Sequence, residues 1–260
     1  MKALVFGVLG AVLLAGVTSA ADESACLVAA HLVHADFPLP RVAAAIGRNQ
    51  LTITVLGSAS SMLPGADGAA KAYPARLEDA LRKRLEGTSV KVIVHAKPRD
   101  TVGEMEKTLE KVMVDDKPDL VVWQAGTVDA MMGVDLDAFR SGLDDGLDTI
   151  QAAKSDAVLM NMQYSPRTDS MIALASYVES MRFVALQREV PLFDRLAVMK
   201  NWNEMGIFDL YSPTKKIDIA EKVHDCLGRL LARLVVDGAK LAHANNIGSG
   251  DVGSTRKDLH

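Results

Sequence analysis

LTITVLGSASSM, residues 51–62, is the stretch whose reading decides the fold. Leu51, Ile53, Val55 and Leu56 form an apolar run of strand length, and Gly57 to Ser61 follow as a corner of small residues. A buried strand that breaks into a tight turn with exposed hydroxyls is where an α/β protein often presents a nucleophile. The middle residue of this corner is Ala59, so the turn poses a chemical question as well as a structural one.

Working outward, apolar runs of strand length recur at 90–95, 119–124, 157–162 and, briefly, 190–193. Amphipathic helical patterns fill the intervals at 73–86, 103–115, 135–154, 170–188 and 219–242. In 73–86 the leucines Leu77, Leu81 and Leu85 recur one turn apart, and Gly87 supplies a stop. Continuous rather than alternating apolar strands imply burial on both faces. A β-α-β-α series of this kind closes as a parallel sheet with helices on both sides. Ligands of such sheets bind beyond the carboxyl ends of the strands, which here means Gly57–Ser61, Ala96–Thr101, Gly126–Asp129 and Gln163–Pro166.

The ends of the chain read differently. Met1-Lys2, an apolar run from Ala3 to Gly16 and the small residues Thr18-Ser19-Ala20 have the form of a secretory signal peptide, residues 1–20. A single domain is expected over 21–243, its first thirty residues a helical preface interrupted by Pro38 and Pro40. From Ala244 to His260 the sequence is polar, Gly-rich and aperiodic, the composition of a disordered tail. The expected location is periplasmic or secreted, with no membrane span in the mature chain.

The formal net charge is −4, and no basic stripe interleaved with aromatics speaks for nucleic acid. The two cysteines, Cys26 and Cys226, are expected to pair in an oxidising compartment, the alternative being two buried thiols. His31 and His34 stand three apart but lack an evident third metal ligand. Met131, Met132, Met160 and Met162 cluster near the ends of the third and fourth strands, as core filler or as an apolar pocket wall.

VLGSASS after the first strand, KPDLVVWQAGTVDAM around the third and EKVHDCLGRLLA near the end together resemble the SGNH (GDSL-type) hydrolases, particularly secreted bacterial members. The resemblance implies a three-layer α/β/α sandwich with a flavodoxin-like, parallel five-stranded sheet. It implies ester hydrolysis, often of acyl or acetyl groups on lipids or polysaccharides, without a metal or organic cofactor. Its chemistry needs a serine, a histidine base with an acid three positions earlier, and amide donors for the oxyanion.

Carried over residue by residue, the resemblance leaves little of that machinery. The nucleophile position falls on Ala59, and the oxyanion positions fall on Asp100 and Val128. Gly57, Gly126 and Asp129 are retained, the base falls on His224, and the acid falls on Glu221. Losing such a nucleophile costs about a million-fold in turnover, and losing one oxyanion donor roughly a hundred- to a thousand-fold. Two expectations follow. The first is a pseudoenzyme acting as an envelope binding or scaffold protein, its partner a cell-envelope polysaccharide or acylated ligand. The second is an esterase or carbohydrate O-deacetylase that uses a displaced Ser60 or Ser58 with His224. Gln163 and Tyr164 would supply polar contacts at the end of the fourth strand. On a plainer reading, Asp218 and Glu221 are the N-cap and N3 residues of a capping box on the last helix.

Overall fold

The computed structural model describes residues 26–211 and 217–250, the side chains of 246–250 excepted. The signal-peptide reading and residues 251–260 lie outside the described residues. Five parallel strands form one sheet: β1 (Gln50–Gly57), β2 (Ser89–Ala96), β3 (Leu120–Gln124), β4 (Asp156–Met160) and β5 (Leu192–Phe193). Their order is β2-β1-β3-β4-β5. This is the three-layer, all-parallel arrangement expected. Register pairs Leu56 with His95 and with Trp123, and Gln124 with Met160, so the strands end along a common edge.

The two-residue period of the strands splits their side chains between two cores. Leu51, Ile53, Val55, Leu120, Val122, Val158 and Met160 face one. That side is covered by α1 (Pro40–Gly47), α2 (Tyr73–Arg84), α8 (Arg195–Glu204) and α9 (Ile217–Gly250). Leu56, Val121, Trp123, Ala157 and Leu159 face the other. There the cover is α3 (Val102–Asp116), α5 (Leu136–Ala152) and α7 (Ala175–Gln187). Two short helices, α4 (Thr127–Met132) and α6 (Pro166–Met171), leave the ends of β3 and β4.

Several local readings need correction. Pro40 does not interrupt a helix but opens α1, where its missing N–H removes no bond. The pattern over 170–188 is two helices, α6 and α7, parted at Ile172–Leu174. Helix α8 follows Asp194, whose carboxylate accepts from the Ala197 N–H; the sequence reading had placed no element there. The described part of helix α9 begins at Ile217, so Asp218 lies inside the helix instead of preceding it. The helix continues to Gly250, beyond Ala244, where sequence periodicity fades.

The bridge Cys26–Cys226 is formed and ties the start of the described chain to α9. Among the described residues, no helix is long and apolar enough to cross a membrane.

Helix α5 approaches the sheet through Gly146. A Cβ there would lie 2.2 Å from Trp123 Cη2 and 2.9 Å from Leu109 Cδ1. Trp123 cannot step aside, because it is wholly buried and its indole N–H is aimed at Met105 Sδ, 3.3 Å away. Gly146→Ala is therefore expected to lower stability by about 1–2 kcal/mol in urea unfolding, overpacking outweighing the gain in helix propensity. A stabilised variant would contradict this packing.

Candidate functional site

The corner after β1 is a single 3-10 turn, Ala59–Ser61, preceded by Ser58 in extended conformation. Gly57 is needed at its entrance, because a Cβ would lie 2.3 Å from Ser61 Oγ and 3.0 Å from Gln124 Oε1. Gln124, the last residue of β3, is the hub of the turn. Its Oε1 accepts from the Ser58 N–H at 3.2 Å, from Ser60 Oγ at 3.0 Å and from Ser61 Oγ at 2.9 Å. The backbone donor dictates which way the amide faces, and Gln124 Nε2 is left buried with no acceptor among the described residues. An orphaned donor of this kind costs about 1–3 kcal/mol.

Two further elements close the crevice. Tyr73, at the start of α2, is fully buried, and its hydroxyl lies 3.0 Å from Ser61 Oγ. Arg195, the first residue of α8, is 1% exposed. Its Nε donates to the Asn161 carbonyl at 3.1 Å, and both terminal nitrogens reach Ser60 Oγ at 3.4 Å. Asn161 is held in turn by Asp194, which accepts from Asn161 Nδ2 at 2.7 Å and pairs with Arg182. No carboxylate pairs with Arg195 among the described residues, and burial lowers its pKa to about 10. Where an open hydrolase crevice is expected, the strand ends are filled by a Tyr–Ser–Gln–Ser–Arg–Asn hydrogen-bond chain. Only Ala59 and part of Ser60 reach solvent from the turn itself.

His224 lies within α9, 8% exposed. Its Nδ1 accepts from the Tyr73 backbone N–H at 3.0 Å. An amide N–H can only donate, so Nδ1 carries the lone pair and the neutral ring holds its proton on Nε2. A serine-activating histidine needs the reverse, with Nδ1–H on an acid and a lone pair on Nε2. Burial first, and the charge of Arg195 second, lower the His224 pKa to about 4.

The other sequence candidates are distributed as follows. No hydroxyl of Ser58, Ser60 or Ser61 is hydrogen-bonded to His224; Ser60 and Ser61 both turn to Gln124. The Glu221 carboxylate binds Lys71 Nζ at 2.9 Å, and Lys71 also reaches Asp67. Asp100 pairs with Lys97 at 2.9 Å ahead of α3, and Val128 is a part-buried residue of α4. Asp129 is buried and ties two loops together, accepting from the Val102 N–H at 2.9 Å and the Gly126 N–H at 3.2 Å. Desolvation raises its pKa against those bonds. Gly126 has φ +96°, and a Cβ there would meet Met162 Cε at 2.4 Å. Tyr164 is buried in the core, whereas Gln163 stays part-exposed.

The methionines do not form one wall: Met160 and Met162 are fully buried, Met131 and Met132 largely exposed. Among the described residues, no three of His, Cys, Asp and Glu gather closely enough to hold a metal ion.

Sequence reasoning missed Gln124, Tyr73 and Arg195. The Asp194 N-cap and the Gly206 stop were legible signals for α8. Nothing local to Arg195 announces that its guanidinium turns inward.

A family model described as the Non-GDSL lipase-like family matches residues 25–241. No curated protein matches the chain. Among solved structures, TesA superimposes with a TM-score of 0.54 at 21% identity, over 74% of this chain and 99% of its own. A lipase/acylhydrolase from Enterococcus faecalis gives 0.54 at 20% identity, over 70% and 94%. A catalytic mutant of an acetylxylan esterase from Geobacillus stearothermophilus gives 0.57 at 18% identity, over 71% and 94%. At such identities the likeness is one of fold.

Proposed function

Because the chain belongs to the Non-GDSL lipase-like family and has an SGNH-type fold, we propose that it keeps a hydrolase scaffold without ester-hydrolysing chemistry. On this reading it is an exported binding or scaffold protein of the cell envelope. The observation that carries the proposal is the Tyr73 N–H bond to His224 Nδ1. It holds the ring in the tautomer that cannot take a proton from a serine at Nε2. The filled crevice supports the same conclusion, since the Ser60 and Ser61 hydroxyls already donate to Gln124 Oε1 and Ser60 accepts from the Arg195 guanidinium. Export is supported by the Cys26–Cys226 bridge, because such bonds persist in oxidising compartments. A glycan ligand is suggested by the acetylxylan esterase among the structural neighbours.

The alternative, an esterase using Ser60 or Ser58 with His224, finds no hydrogen bond between either hydroxyl and that ring. The test restores what the sequence lacks. With p-nitrophenyl acetate, wild type and Ala59→Ser are both expected to show no turnover above the buffer rate. Turnover by Ala59→Ser that disappears on adding His224→Asn would mean the base is competent and would sink the proposal. Wild-type turnover abolished by Ser60→Ala would establish the alternative.

A further inference from the structure

A cleft of 550 Å³ runs along the outer seam of α2 and α9, apart from the crevice at the strand ends. Arg76, Lys83 and Arg84 reach it from α2, and Arg229 and Arg233 from α9. Asp79 and Asp225 are the only acidic lining residues among the described ones, so the described lining carries a net charge of about +3 on a chain whose formal charge is −4. The acidic pair is already engaged: Asp225 binds Arg229 at 2.7 Å, and Asp79 lies 3.7 Å from Arg76. Lys83, Arg84 and Arg233 have no ion pair among the described residues. Basic side chains that outnumber the acids beside them repel one another, and an anionic ligand relieves that repulsion.

The shape of the patch selects among anions. Arg76 and Lys83 stand two turns apart on α2, about 10 Å, and Arg229 and Arg233 one turn apart on α9, about 6 Å. The charges therefore form a strip, suited to a chain with repeated negative groups more than to a single ion. Among the described residues, no aromatic side chain lines the cleft to stack a base. Of its apolar lining residues Cys26, Ala80 and Leu230 are buried, so Leu27 and Val28 supply one apolar wall facing five cationic side chains. Guanidinium groups take carboxylates, as they take phosphates, in bidentate geometry. Residues Cys26 to Val28 form one wall, and the bridge to Cys226 holds that wall on α9.

We propose that this cleft binds an acidic polysaccharide, through carboxylates borne on successive sugars. The proposal deepens the binding-protein reading by naming the ligand chemistry and the surface that takes it. Its site is separate from the serine crevice.

The test is fluorescence anisotropy at low ionic strength with a labelled hexamer of galacturonic acid. Saturable binding by the full chain is expected, weakened at least about tenfold by Lys83→Glu/Arg84→Glu/Arg233→Glu and weakened by added salt. Lys107→Glu, on α3 of the opposite layer, should leave it unchanged. The milder Lys83→Ser/Arg84→Ser, which alters two exposed side chains only, guards against misfolding and should also weaken binding.

Absence of hexamer binding, equal binding of a neutral xylose hexamer, or charge reversal within about twofold of wild type would each overturn the proposal. Tighter binding of anionic vesicles or of single-stranded DNA would overturn it in favour of those partners. Turnover in the ester assay would instead overturn the non-hydrolase reading and leave the cleft result standing.

Discussion

Cys26→Ser/Cys226→Ser is expected to lower the unfolding free energy by about 4 kcal/mol. The bridge spans a sequence separation of 200, so it closes nearly the whole described chain into one loop. The denatured state thus loses much of the freedom that would oppose folding. Both half-cystines are buried, at 7% and 2% exposure, so the two serines would also place hydroxyls where disulfide sulfur now packs. Urea unfolding of the variant beside oxidised and reduced wild type measures the effect. Reduced wild type should resemble the variant. A loss below about 1 kcal/mol would mean that the N-terminal segment docks on α9 by packing alone.

His224→Asn is expected to change the pH dependence of stability by about 3 kcal/mol between pH 7 and pH 4. The native ring has a pKa of about 4, against 6.5 for an unperturbed histidine. Between those values the unfolded chain binds a proton that the folded chain excludes. The stability contributed by the buried neutral ring is therefore full above pH 6.5 and is lost as pH falls through the window. Asparagine keeps an acceptor for the Tyr73 N–H but does not titrate. Asp156 titrates with the opposite sign: burial raises its carboxyl to about 6 despite the bonds from the Arg41 and Val42 N–H groups. Its contribution is present at low pH and fades as pH rises from 3.8 through 6. The quantity to compare is thus wild type minus variant, in which the Asp156 part cancels. Parallel stability curves for the two proteins would show that His224 is not held neutral.

The crevice shows how far local sequence reaches. Carried over from the resemblance, the serine, oxyanion-glycine and asparagine positions fall on Ala59, Asp100 and Val128, and that assignment is read from residue identity alone. The fate of the hydroxyls that remain was not legible. Ser60 could have met His224 or turned away, and the choice rests with Gln124, sixty-four residues later in the chain, and with Arg195. Glu221 illustrates the same limit. Three positions before His224 it has the spacing of a triad acid, yet Lys71 claims its carboxylate.

What the sequence determined by itself is the alternation of strands and helices, the parallel sheet and the two cysteines available to bridge. Those follow from periodicity, chain length and composition, which act along the chain and so are written in it. The tautomer of His224, the inward turn of Arg195 and the gathering of five basic side chains on one seam were decided only in the tertiary structure. Each depends on groups far apart in sequence meeting at hydrogen-bond or ion-pair distance, and a linear pattern carries no record of which side chains will face one another.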